Sequence, residues 1–396
     1  MLDRRDFLKA SACFGAAPYF GLPRIALAGA ATDRRLIVVF QRGGQDGLHV
    51  LPPYRDPEYQ RLRPHLAVPP PGEDRGALTI NDTFGLHPTL SNIHRAWENG
   101  GLLVFPAIAS RYRQRSHFDA QNLLENGSGV PFGATDGFLN RALRGMPARP
   151  GPQGFAVGSA IPLILQGKAR IRSWAPSTMP DVDRDFLARL LESYQGDPLL
   201  HSALSESMRD GPTGEELTRR DTRRVNRGRE PVIAARAVAE SLRSKNGARI
   251  AVLEMNGWDT HSGQTPRMER LLAELDAVVA TLQSELAEVW DQTLIVTMSE
   301  FGRTVAENGA RGTDHGTAGT SFAIGGAVRS SEVVGDWPGL EAAARYEGRD
   351  LFPANSLEAL LKTVCVDHLG IAPAFVEREV FPSTRSIRRF KGLLTS

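Results

Sequence analysis

Short runs in which every position is apolar recur along the chain, each followed by a cluster of glycine and polar residues. Residues 36–40 read Leu-Ile-Val-Val-Phe. Such β-branched runs without polar alternation predict a strand buried on both faces, as in a parallel sheet. The same reading predicts strands over 102–106, 249–255, 293–298 and 321–325, with strand and loop over 155–166. Between these runs the apolar spacing changes to three and four. Met268, Leu271, Leu272, Leu275, Val278, Val279, Leu282 and Leu286 mark one face of a helix over 265–289. Further helices are expected over 88–99, stopped by Gly100-Gly101, and over 117–126, 137–144 and 355–369. Strands alternating with helices predict an α/β fold, a mostly parallel sheet with helices on both faces. Residues 183–245 break this rhythm: they are polar and helical in pattern, and read as a helical insertion over the sheet. Their six arginines between Arg219 and Arg229, interspersed with Asp221, read as a solvated face rather than an anion- or partner-binding one.

The first 28 residues obey another logic. Residues 3–9 read Asp-Arg-Arg-Asp-Phe-Leu-Lys, the arginine pair of a twin-arginine export signal. A weakly apolar stretch comes next, broken by Gly15, Pro18, Gly21 and Pro23, and ends in the small-x-small cleavage site Ala26-Leu27-Ala28. The expectation is a signal peptide over 1–28 and one domain over 33–396. The protein would be exported folded by the twin-arginine translocase, to the periplasm or beyond. That segment holds four of the 47 basic and two of the 45 acidic side chains, so the cleaved chain has no net charge. A neutral body is a poor polyanion binder, which argues against a nucleic-acid partner. Cleavage also leaves Cys365 as the single cysteine, which precludes an internal disulfide. No later stretch has the ~18 uninterrupted apolar residues of a membrane span.

Ligands of open α/β sheets bind at the carboxyl ends of the strands, so the residues just beyond each predicted strand are informative. Residues 41–47 read Gln-Arg-Gly-Gly-Gln-Asp-Gly, 115–121 Arg-Ser-His-Phe-Asp-Ala-Gln, 257–261 Gly-Trp-Asp-Thr-His, 299–304 Ser-Glu-Phe-Gly-Arg-Thr and 312–316 Gly-Thr-Asp-His-Gly. All five clusters fall on one predicted edge. Carboxylates and imidazoles together form an oxygen and nitrogen donor set for a divalent metal. Asp46, Asp259, His261, Glu300, Asp314 and His315 are the candidate ligands, for one or two ions of Zn, Mn, Fe, Mg or Ca. Paired ions would stabilise attacking and leaving oxygens at phosphorus or sulfur. Ser116 is the candidate nucleophile at the start of a helix, or equally its cap with Asp119 three residues on. Arg303 is the candidate clamp for an anionic substrate, or a partner of Glu300. His117 reads as structural, or as a support behind a ligand. Gly43-Gly44-x-x-Gly47 lacks dinucleotide spacing, which argues against a redox role.

Taken together, these five ordered clusters and the export signal resemble the domain-of-unknown-function family 1501, grouped with the alkaline phosphatase and sulfatase enzymes. The resemblance implies an alkaline phosphatase-like fold, a metal site and transfer or hydrolysis of phosphate or sulfate-type esters, with a small anionic ester as substrate. It implies Ser116 in the nucleophile's place, with Asp259, His261 and His315 on one ion and Asp46, Glu300 and Asp314 on the other. The alternative is an exported, non-catalytic binding or assembly protein that keeps the scaffold.

Overall fold

A computed structural model of the chain describes residues 33–176, 184–209 and 230–395. The expected signal sequence over 1–28 and the arginine run at 219–229 lie outside the described residues. The main sheet has nine strands: β1 (Arg35–Arg42), β2 (Leu102–Ala109), β3 (Gly154–Val157), β4 (Ile171–Trp174), β5 (Ile250–Asn256), β6 (Thr293–Met298), β7 (Gly319–Ile324), β8 (Glu332–Val333) and β9 (Asn355–Ser356). Their order is β8-β2-β7-β6-β1-β5-β3-β4, with β9 also on β2. Every pair is parallel except those made by β7, which runs antiparallel to both β2 and β6.

The apolar runs form these strands because both faces of each are covered. Leu36, Val38 and Phe40 of β1 point to one layer, beside α3 (Phe138–Gly145) and α8 (Leu357–Thr363). Ile37 and Val39 point to the other, beside α1 (Ser91–Glu98), α6 (Glu230–Arg243) and α7 (Gln264–Glu285). Longer helices elsewhere among the described residues include α2 (His117–Asn126), α4 (Arg184–Ser193) and α5 (Pro198–Arg209). The α/β layering expected from the sequence is the layering observed. Two differences have physical causes. Helix α6 belongs to the core, because Ala234, Ala235, Val238, Ala239 and Leu242 are buried on one stripe. The closing helix stops at Thr363 and continues as a wider π-type turn over Val364–His368. No helix of the described residues is long and apolar enough to cross a membrane.

A single helical turn after β1, Gly47–Val50, carries His49, whose ring stacks on His87 with centroids 5.0 Å apart. Burial pushes His49 down to about 4 and His87 to about 3. Both folded values lie below the ordinary ~6.5, so their contribution is complete above that pH and is lost as pH falls toward 4. Between pH 7 and pH 5 these two rings are expected to remove about 3.5 kcal/mol of unfolding free energy, and His87→Phe to spare about half of that. Urea titrations at the two pH values measure it, and equal losses in both proteins would contradict it.

Candidate metal centre

The parallel register puts the exits of three central strands side by side. Arg42 of β1 pairs with Asn256 of β5, and Phe40 with Met298 of β6, so residues 43–46, 257–261 and 299–303 leave the sheet together. Strand β2 runs the same way and delivers His117 through α2. Because β7 is antiparallel, its beginning lies at this edge, which brings Asp314 and His315 there from the loop before it. Close approach is required at Gly43: a Cβ would stand 2.5 Å from the Asp259 amide nitrogen, and φ is +122°.

Three imidazoles and one carboxylate meet above these exits. His117 Nε2 and His261 Nε2 each lie 3.0 Å from His315 Nε2. Asp259 Oδ1 is 3.0 Å from His261 Nε2 and 3.2 Å from His315 Nε2, and Asp259 Oδ2 is 3.6 Å from His117 Nε2. Phe301 packs against two of the rings, with centroids 4.7 Å from His117 and 5.0 Å from His315.

The opposite nitrogen of each ring is held by an acceptor. His117 Nδ1 donates to Glu300 Oε1 at 2.8 Å, and His261 Nδ1 to Asp314 Oδ1 at 3.1 Å. His315 Nδ1 donates to the Arg115 carbonyl at 3.0 Å, a carbonyl aimed by a left-handed backbone at Arg115 (φ +60°). Ionised carboxylates and carbonyls only accept, so these partners assign the proton of each neutral ring to Nδ1 and leave Nε2 a lone pair. Three lone pairs at these separations repel unless a cation lies between them. Two ligands each ~2.1 Å from one ion stand ~3.0–3.4 Å apart at tetrahedral to octahedral angles, so the distances from His315 Nε2 to the His117 and His261 nitrogens and to Asp259 fit. Backing of a ligating histidine by a carboxylate or carbonyl is the usual support of such a ring. Among the described residues, His117, Asp259 and His315 form a three-ligand group with all donor atoms within 4.8 Å of one another.

Electrostatics arise from the same contacts. The hydrogen bond to Glu300 raises His117 above the ordinary histidine value, against its partial burial. Burial lowers His315, and the Arg115 carbonyl only partly offsets this. Burial would raise Glu300, but donation from His117, Gln121 and the Gly43 amide outweighs it and holds the carboxyl low. Asp259 is likewise held low: the Arg303 hydrogen bond and charge outweigh burial. Behind Glu300 the network runs on. Gln121 Nε2 donates to Glu300 Oε1 at 2.8 Å, and Arg42 Nη1 donates to Gln121 Oε1 at 2.9 Å. Arg42 also pairs with Glu125 (2.8 Å) and Glu254.

The expected site residues thus fall into distinct places. Asp259, His261 and His315 come together. Glu300 and Asp314 stand behind histidines as their acceptors. Asp46 is committed elsewhere: its buried carboxylate pairs with Arg63 Nη1 at 2.7 Å, accepts from Gln264 and caps the turn at Leu48 N. Arg303 is buried and donates to Asp259 Oδ1 (2.7 Å), the Gly43 carbonyl (3.4 Å) and Thr313, which holds Asp259 rather than presenting a free guanidinium. Ser116 is the N-cap residue of α2, yet its hydroxyl makes no capping bond. Asp119 accepts instead from the Tyr112 hydroxyl at 3.3 Å, so no capping box forms. Sequence reasoning passed over His117 as a donor. The available signal was its place in the first helical turn after a strand exit, beside Ser116.

Fold and site together describe an α/β protein with a histidine-rich cluster, a candidate metal site, at the carboxyl edge of its sheet. The chain belongs to the family described as protein of unknown function (DUF1501), whose model matches residues 33–373. No curated protein matches it. Among solved structures it is similar to Ps i-CgsB in complex with k-i-k-neocarrahexaose, at 12% identity, TM-score 0.40, covering 90% of this chain and 77% of that one. It is also similar to a phosphonate monoester hydrolase of Agrobacterium radiobacter, at 12% identity, TM-score 0.38, covering 86% and 74%. A third is the alkaline phosphatase of the Antarctic bacterium TAB5, at 10% identity, TM-score 0.36, covering 74% and 92%.

Proposed function

We propose that His117, His261, His315 and Asp259 hold one divalent transition metal, and that the protein is an exported, metal-dependent hydrolase of phosphate or sulfate-type esters. The observation that carries this reading is the convergence of three Nε2 lone pairs and a carboxylate, each fixed from behind. Three imidazoles with one carboxylate suit Zn or Fe better than the all-oxygen preferences of Mg and Ca. A bound ion would supply positive charge to an anionic ester and withdraw electrons from its reacting centre.

The chain's own groups supply orientation. Glu300, Asp314 and the Arg115 carbonyl hold the rings, and Arg303 holds Asp259. The uncapped Ser116 hydroxyl stands at the start of the ten-residue α2, where backbone N–H groups favour an anion. In this reading Ser116 Oγ attacks the phosphorus or sulfur of the ester, its proton leaves with the departing alcohol, and water then cleaves the serine ester to release phosphate or sulfate. Export is supported by Arg4-Arg5 and Ala26-Leu27-Ala28. Ser116→Ala is expected to retain metal and to lower kcat on aryl phosphate or sulfate esters by about 10³-fold or more. An alanine variant as active as the parent would remove Ser116 from this role.

A further inference from the structure

Six large apolar side chains are strongly exposed among the described residues, and three of them stand within 15 positions of one another in the stretch that begins with the candidate donor His117. Phe118, 84% exposed, directly follows the donor His117 in the first turn of α2. Val130 and Phe132, 57% and 68% exposed, lie in the loop after the helix. Residues 126–135 contain no charged side chain.

This loop is built. Asn122 lies one turn after Phe118 on the same helix face, and its Oδ1 accepts the Phe132 amide at 2.5 Å. Asn126, fully buried, accepts from Ser128 N at 2.7 Å and donates to the Val130 carbonyl at 3.2 Å. The Ser128 hydroxyl donates to the same carbonyl at 3.0 Å. These bonds hold Phe132 at φ +58°, a left-handed conformation that is an outlier for an aromatic residue. Strain of this kind persists where the surroundings over-determine it, and it clusters at ligand sites. A bulky ring is therefore kept facing solvent at a backbone cost.

We infer that Phe118, Val130 and Phe132 form the subsite for an apolar, aryl or alkyl, arm of the ester whose anionic group is bound at the metal. The inference rests on the metal-centre reading and names the substrate class for it. Continuity fixes the occupant. His117 and Phe118 are adjacent residues, with Cα atoms ~3.8 Å apart, and one helical turn of ~5.4 Å carries the platform from Phe118 to the Asn122–Phe132 contact. The occupant is therefore a small molecule held at His117 and its neighbouring donors. Its apolar arm would cover rings that water now covers.

The test compares methylphosphonate with phenylphosphonate as probes of the zinc-loaded protein by titration calorimetry. Phenylphosphonate is expected to bind at least about tenfold more tightly. Phe118→Ser and Phe132→Gly are expected to shrink that preference to within about threefold while methylphosphonate affinity stays the same. Glycine at 132 also relieves the left-handed strain, so a folding failure does not confound this variant. Equal binding of the two probes, or a preference that survives both substitutions, would overturn the subsite and leave the metal centre standing. Failure of both probes to bind the zinc-loaded protein would overturn the anionic-ester reading, and the subsite with it. Sedimentation with phosphatidylglycerol vesicles that depends on Phe118 and Phe132, without a phenyl preference, would assign the patch to a membrane surface and overturn the inference.

Discussion

Alanine at His315 is expected to lower zinc affinity by more than about 100-fold and to abolish metal-dependent turnover. His315 is the hub of the donor cluster: its Nε2 lies 3.0 Å from those of His117 and His261, and 3.2 Å from Asp259. Removing it leaves two imidazoles and a carboxylate without their common neighbour. Losing a group behind a ligand already costs about 10- to 100-fold in metal affinity, so losing a ligand at the hub sets a floor above that range. Glu300→Gln supplies the internal scale. Its amide can still accept from His117 Nδ1 but carries no charge, so its loss belongs in the lower range. Competition against a chromophoric chelator reads both. Undiminished zinc binding in His315→Ala, with unchanged circular dichroism, would remove this residue from the centre. Acid has the same direction of effect. A proton raised onto His117 competes with the ion, so affinity falls as pH drops through the range in which His117 protonates.

Methionine at Arg63 is expected to destabilise the fold by about 3–5 kcal/mol. Arg63 and Asp46 form an ion pair at 2.7 Å with side chains 0% and 1% exposed. Arg63 also donates to the carbonyls of Val305 (2.7 Å) and Thr304 (2.8 Å). Burial alone would raise the Asp46 carboxyl, but the Arg63 charge and hydrogen bond hold it below the ordinary value. Without the guanidinium, a carboxylate stays behind in the interior with only Gln264 and a backbone amide to solvate it. The pair Arg63→Met, Asp46→Leu is therefore expected to be less unstable than Arg63→Met alone, because no isolated charge remains. Urea denaturation measures these differences. The same variants separate two roles for Asp46. As a structural partner, Asp46→Asn keeps the full metal content. Loss of metal in a folded Asp46→Asn protein would make it a ligand.

The layering of the fold was legible because burial on both faces leaves a plain signature. The runs at 36–40, 102–106 and 293–298 are apolar at nearly every position, and each lies inside an observed strand. The direction of β7 was not legible. Gly319–Ile324 reads the same whether the strand runs with its neighbours or against them, and only the pairing to β2 and β6 decides. That direction explains how Asp314 and His315, well after β6, return to the same edge.

At the site, residue types pointed to the neighbourhood and not to the roles. Asp46, Glu300 and Asp314 are all carboxylates near strand exits, but one answers Arg63 and two answer histidine Nδ1 atoms. A sequence does not display which acceptor a ring nitrogen finds 183 positions away, as His117 does in Glu300. Nor does it display that Arg303 turns inward to Asp259 and Thr313. Arg115 contributes its carbonyl, a group every residue has, so composition carries no trace of it.

The proposed function requires a single metal ion held by His117, His261, His315 and Asp259. Elemental analysis of the folded protein over residues 33–396, purified without chelator, reads it. Close to one equivalent of a transition metal per chain is expected, lost in His315→Ala and retained in Asp46→Asn. Less than half an equivalent of any divalent metal, or two equivalents, would contradict it.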